Sequence, residues 1–280
     1  MKRIFTLCVA LCTFISGFAQ TDTTGKQNTP SASDTIRIGG MIIIRKPGSK
    51  DKEIIKDKDY KMNSRRGGKS SNLTTNWWIL DIGFSNYKDE SNYVTAASSR
   101  FVSPGITKDD LSLKSGKSRN VNIWFFMQKL NFSKHVLNLK YGMGLELNNY
   151  SFENTKLAFA KNPTNISTGT TDFKKIKLAA DYITVPIMLN INFTPNRKNG
   201  FSLSGGISAG YLYSARFKTK DDEDVKKIKN DFDLEPFKLS YIGELAMGPV
   251  RLYGSYAMKN MWAKGLNMTP FNVGFRFSNW

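Results

Sequence analysis

Large apolar side chains recur at every second residue through most of the chain after Trp77. The clearest stretch, residues 137–147, reads L-N-L-K-Y-G-M-G-L-E-L. Leu137, Leu139, Tyr141, Met143, Leu145 and Leu147 share one parity, and Asn138, Lys140, Gly142, Gly144 and Glu146 share the other. Successive side chains point to opposite faces of a strand, so one face is large and apolar and the other small or polar. A tilted strand of roughly 9–11 residues crosses the hydrocarbon core of a bilayer. The stretch predicts one stave of a transmembrane barrel.

Other stretches repeat the pattern. The first sets Trp78, Leu80, Ile82 and Phe84 against Trp77, Ile79, Asp81, Gly83 and Ser85. The second, 120–130, sets Val121, Ile123, Phe125 and Met127 against Trp124, Phe126 and Gln128, less cleanly. The fourth, near 176–193, keeps Ile183, Val185, Ile187, Leu189, Ile191 and Phe193 in phase around Pro186. A proline offers no ladder donor, so an irregular or bulged ladder is expected there. Four more strands follow, over 201–213, from Phe237, from Val250 after a tight turn at Gly248-Pro249, and from Phe271 to Phe277. The reading is an all-β, eight-stranded antiparallel barrel over residues 76–280.

Alternation alone fits a soluble barrel equally well. Three features favour the membrane. The polar parity is mostly Gly, Ser, Asn and Ala, poorer in Lys, Glu and Thr than a water-facing wall. Trp77, Trp78, Tyr87, Tyr150, Phe193, Phe201, Tyr211, Tyr213 and Phe237 gather near strand ends, where interfacial girdles form. The connections alternate between long ones (86–119, 150–174, 215–235, 259–269) and short ones (131–134, 194–200, 248–249). Short periplasmic turns and long outer loops characterise outer-membrane barrels. An even strand count then puts the N-terminal arm and the C-terminus together in the periplasm.

The N-terminus agrees with export. Lys2 and Arg3 precede an apolar run from Ile4 to Phe18, and Gly17 and Ala19 supply the small residues of a cleavage site before Gln20. Residues 1–19 read as a secretory signal peptide. A lipidated Cys12 is disfavoured by Leu11 in front of it. Cys8 and Cys12 are the only cysteines, so the mature chain is expected to hold no disulfide and no thiolate metal site. Loss of Lys2 and Arg3 leaves 39 basic against 23 acidic residues. Export argues against nucleic acid as the counter-charge and favours phosphorylated lipid head groups or anionic surface polymers, with lysine-rich solvated loops as the plainer account. Residues 20–75 form a polar, basic arm with one short β-like run at 36–45, either a docking strand or plug or a solvated tether.

These residues resemble the small outer-membrane β-barrel proteins of the Bacteroidota, the PorT-like group. The features that carry the resemblance are N-W-W-I-L-D-I-G-F at 76–84, G-K-S-R-N-V-N at 116–122 and Y-G-M-G-L-E-L-N-N-Y at 141–150. Y-I-T-V-P-I-M-L at 182–189 and G-G-I-S-A-G-Y-L at 205–212 add to them. The resemblance covers about 34–280 and implies a fold, with a link to surface protein secretion for some members; it brings no catalytic residues. Trp280 departs from the usual pattern, being out of phase with Phe271, Val273, Phe275 and Phe277.

Little in the chain speaks for bond-making chemistry. The single histidine, His135, falls at a short turn and is expected to be solvated, which argues against a catalytic triad or a histidine metal site. Asp221-Asp222 and Glu223-Asp224 could capture calcium, but neighbouring Lys226, Lys227 and Lys229 favour a mixed-charge loop. No cofactor motif occurs, and none is expected. Asp81, Lys140, Glu146, Glu244, Arg251 and Arg276 are placed on the inward parity. Buried charges must pair, so they are expected to form a lumen network, with an ion path or small binding cavity as the alternative. The expected role is a non-enzymatic structural or interaction barrel, whose partners are outer-membrane lipid and lipopolysaccharide and an envelope or secretion protein. A narrow channel or binding barrel for small solutes is the alternative.

Overall fold

The computed structural model describes residues 71–161, 163–195, 197, 200–221 and 224–278, and the backbone alone of 35–38 and 41–44. The expected signal peptide, most of the arm, the Asp222-Glu223 pair and Trp280 lie outside the described residues. Within the arm, β1 (Thr35–Ile38) and β2 (Met41–Ile44) pair antiparallel as a hairpin, where one short β-like run was expected.

Eight long strands form a closed antiparallel ring. In chain order they are β3 (Leu73–Asp89), β4 (Arg119–Ser133), β5 (Leu137–Ser151), β8 (Lys175–Asn192), β9 (Phe201–Lys220), β11 (Phe237–Met247), β12 (Val250–Ala257) and β13 (Met268–Phe277). Each pairs with its neighbour, and β13 pairs back onto β3. Closure leaves the ring no free edge, the condition for placing strands in lipid. Strands β6 (Leu157–Ala160), β7 (Asn165–Thr168) and β10 (Val225–Lys229) belong to the long connections.

The alternation holds along most of the ring. On β5, Asn138, Lys140, Glu146 and Asn148 are buried, and Leu137 and Met143 are exposed. A Cβ at Gly144 would lie 2.4 Å from the Ile123 carbonyl oxygen and 2.7 Å from Trp124 Cα, so glycine is what lets β5 approach β4 there.

Of three expectations, two need correction and one is met. Trp78 (φ 56°) and Phe125 drop out of the β3–β4 ladder opposite one another, and β4 slips by one residue against β5 at the same level. The parity reverses below this double bulge, so both Trp77 and Trp78 are exposed, while Met127 turns inward and is buried. Second, the irregular ladder expected at Pro186 is present, as a gap and not as a bulge. The β5–β8 ladder breaks between the pairs Gly144–Thr184 and Tyr141–Ile187 without changing register, and the actual shift on β8 comes at Asp181/Tyr182. Third, Tyr150 is buried and Tyr87 partly so, with their rings 5.9 Å apart. They are not girdle residues, because the ring continues past the lipid-facing band: β8 runs for 18 residues and β9 for 20.

At the short-turn end, β4 and β5 meet in a turn whose two central residues, Lys134 and His135, both have positive φ (46° and 58°). The Val136 N–H closes it on Ser133 O at 2.8 Å. His135 is half-buried, and its N–H donates to Asn131 Oδ1 at 2.7 Å. Left-handed backbone costs a residue with a Cβ about 1–2 kcal/mol, and Asn-Gly is the favoured pair for this turn. Lys134→Asn combined with His135→Gly should therefore raise the temperature at which the folded gel band converts to the unfolded one. A lowered conversion temperature would mean that the native side chains contribute more than the backbone strain removes.

Candidate functional site

The inward parity of eight strands brings the expected charges together. Asp81, Lys140, Glu146, Glu244, Arg251 and Arg276 are all buried, none more than 9% exposed. Arg276 on β13 sits between two carboxylates. Its Nε and Nη2 donate to Asp81 Oδ1 and Oδ2 at 2.7 and 2.8 Å, and its Nη1 donates to Glu244 Oε2 at 2.6 Å. Glu244 Oε1 accepts from Lys140 Nζ at 2.7 Å, and Arg251 Nη1 stands 3.9 Å from the same oxygen. The planar guanidinium suits this arrangement because it holds two acceptors in fixed directions. Its Cζ also lies 5.5 Å from the Trp124 ring centroid, and the Trp124 Nε1–H donates to Asp81 Oδ2 at 2.7 Å.

Glu146 stands apart from this cluster. Its direct cationic partner is Lys238, and the side-chain amides of Asn148 and Asn272 donate to Oε1 at 3.1 Å each. Asparagines join the two clusters. Asn120 Nδ2 donates to Asn122 Oδ1 at 2.9 Å and to Asn148 Oδ1 at 3.0 Å, and Asn122 Nδ2 donates to Asp81 Oδ2 at 3.1 Å. Lys238, Trp124 and these asparagines were not among the expected site residues. Their signal was present, since Lys238, Asn120 and Asn122 share the inward parity of their strands.

Below the asparagines, Ile79, Trp124, Met127 and Met188 pack into a small apolar cluster against Ile242. The internal void beside Glu146, Tyr253 and Arg276 measures about 20 Å³, room for about one water. At the short-turn end the lumen opens into a vestibule of about 210 Å³, lined by Lys129, Lys140, Arg197 and Arg251.

The long-loop end is covered by a folded body. Its elements are the short helix α1 (Tyr93–Ser98), capped by Asn92 Oδ1 on the Thr95 N–H at 3.1 Å, the β6–β7 hairpin, and the connections before β11 and β13. Backbone bonds tie the loops to one another: Ile166 N–H to Phe101 O at 2.9 Å, Glu153 N–H to Ser112 O at 2.8 Å, and Ala263 N–H to Asp233 O at 2.8 Å. Phe159 is central, with ring centroids 4.5 Å from Phe217, 5.7 Å from Phe152, 6.0 Å from Phe232 and 6.3 Å from Trp262. Val102, Leu157, Ile166, Ile176 and Leu178 are each 0% exposed beside it. In α1, burial and then the Asp89 carboxylate, which accepts from the Tyr93 hydroxyl at 2.6 Å, raise the Tyr93 pKa. Sequence reading treated these connections as loops; the Phe, Trp and Ile residues inside them are the signal for this core.

A family model described as outer membrane protein beta-barrel domain matches residues 82–258, from within β3 to just past β12. No curated protein matches the chain.

Proposed function

The chain belongs to the outer membrane protein beta-barrel domain family, and from that premise we propose that it is a non-enzymatic, non-conducting barrel that anchors a rigid headpiece at the cell envelope. The headpiece is the interaction surface, available to envelope or secretion partners. The chain is exported by its N-terminal signal, the short-turn end of the barrel faces the periplasm, and the arm and the C-terminus are periplasmic.

The observation that carries this reading is that the lumen charges are occupied with one another. Arg276 bridges Asp81 and Glu244, Lys140 shares Glu244, and Lys238 holds Glu146. Moving an ion past Arg276 and Glu146 would mean separating buried pairs beside a void of only about 20 Å³, which leaves charge unpaired. The packed loop core above adds a second barrier. Planar-bilayer recording tests the reading. Purified protein whose heat-modifiable gel migration verifies folding should insert without discrete current steps. Reproducible unitary openings would make it a channel.

The vestibule favours a second reading. Arg197 at its mouth, with Lys129 and the Glu244-paired Lys140 and Arg251 below, gives a lining without a carboxylate that would suit a small anionic solute bound from the periplasmic side. Saturable binding of such a solute to the silent protein, weakened by Arg197→Gln, would select a binding barrel.

A further inference from the structure

Beyond the lipid-facing band, β8, β9 and β10 continue as a three-stranded sheet with two unlike faces. Ile176, Leu178, Ala180, Ala215 and Phe217 point inward and are buried in the headpiece core. The opposite face carries cations in register. Lys177 pairs with Lys218, which pairs with Lys227; Lys175 pairs with Lys220; Arg216 pairs with Lys229. Residues directly opposite on antiparallel strands share a face, and like charges placed so are destabilising. Asp181 is the one carboxylate in the three strands, and it is bound to Arg216. The turn after Lys220 carries Asp221, Asp222, Glu223 and Asp224 in sequence. Burial, and then the neighbouring cations, lower the pKa of both Lys177 and Lys218. Within the strands themselves, cations far outnumber the one carboxylate, Asp181.

The position of these cations says what supplies the counter-charge. Parity on β8 is unbroken from Lys175 to Ile191, because the extra residue at the Asp181/Tyr182 shift belongs to β9. The cations thus continue the same face as Ile183, Val185 and Ile187, directly beyond exposed Tyr211, Tyr213 and Phe237. At about 3.3 Å per residue and about 40° of tilt, Lys177 stands roughly 15 Å beyond Ile183. That height lies past the exposed aromatic belt, at the level of charged head groups and the saccharides joined to them.

We propose that the outward face of β8–β9–β10 is a docking surface for a phosphorylated, acylated saccharide of the outer leaflet, lipopolysaccharide, with Lys177, Lys218 and Lys227 reading its phosphates. The acyl chains lie along the apolar strand face below. The inference rests on the reading that the long-loop end faces outward.

The test compares full-length folded protein with the variant Lys177→Gln/Lys218→Gln/Lys227→Gln, both verified by heat-modifiable migration, in neutral-lipid vesicles doped with diphosphoryl lipid A. The variant should bind at least about tenfold more weakly, since each cation near an anionic surface contributes severalfold. Dephosphorylated lipid A should bind both proteins equally and weakly, and Lys108→Gln/Lys114→Gln/Lys117→Gln should bind like wild type. Equal binding of wild type and the first variant would overturn the proposal. So would equally strong binding to phosphatidylglycerol vesicles, which would mark an unselective anion surface. Orientation is read separately, by labelling Lys227→Cys on intact cells with a membrane-impermeant maleimide. Labelling supports the outward reading, and its absence would overturn that reading whatever the lipid result.

Discussion

Replacing Arg276 by methionine should cost the folded barrel about 3–5 kcal/mol, the range for breaking a buried ion pair by removing one partner. The loss follows from what remains. Asp81 would keep only neutral donors, Trp124 Nε1 at 2.7 Å and Asn122 Nδ2 at 3.1 Å, at a site that is 0% exposed. Glu244 would fare better, because Lys140 still donates to it at 2.7 Å. Two features distinguish this cost from a simple packing defect. Asp81→Asn in the Arg276→Met background should recover a substantial part of the loss, since it removes the orphaned charge. Glu244→Gln in the same background should recover less. The measurement is urea unfolding of the protein in vesicles, with the folded fraction read from gel migration. A change under about 1 kcal/mol, the value of an exposed ion pair, would mean that water fills the lumen and screens these charges.

The second large effect should be local. Phe159→Ala removes the ring at the centre of the headpiece core, and large-to-small substitution of a buried phenylalanine costs about 3–5 kcal/mol. Phe159 is 3% exposed and touches four aromatic rings contributed by other segments. No ion pair of the lumen depends on it. Limited proteolysis should therefore cut the variant within 90–118 and 152–174 much faster than wild type, while the heat-modifiable migration of the ring is unchanged. Loss of the folded band would show that headpiece and ring fold as one cooperative unit. Unchanged proteolysis would show that the core is not what orders the loops.

The ring was legible because lipid exposure and strand geometry impose the same period of two. Residues such as Leu139, Ile187 and Phe275 have only one face available to them, and Lys140 and Glu146 only the other. Legibility ended where a backbone irregularity changed the phase. Nothing in N-W-W-I-L marks Trp78 as the residue that leaves the ladder, since both tryptophans suit a membrane interface equally well. The lumen was read by parity, which gathered Asp81, Glu244 and Arg276 on one side. The partners of each charge depend on the stagger between strands, which parity does not encode. Arg276 of β13 reaching Glu244 of β11 is one instance. The headpiece was missed for a different reason. Its core draws single residues from separated connections, Phe101, Phe159, Phe232 and Trp262, so no local window contains a period.

The central claim is that the long connections form one folded body that closes a filled barrel. Hydrogen exchange of the folded protein in vesicles, followed by mass spectrometry, tests it most directly. The amides of Ser103, Lys114, Glu153, Ile166 and Ala263 donate to carbonyls elsewhere in the headpiece or on the adjoining strand, at 2.8 to 2.9 Å. Peptides holding them should exchange slowly, close to the rate of peptides from β5 and β9. Exchange of these connections at the rate of an unfolded chain, with the ring still protected, would contradict the claim.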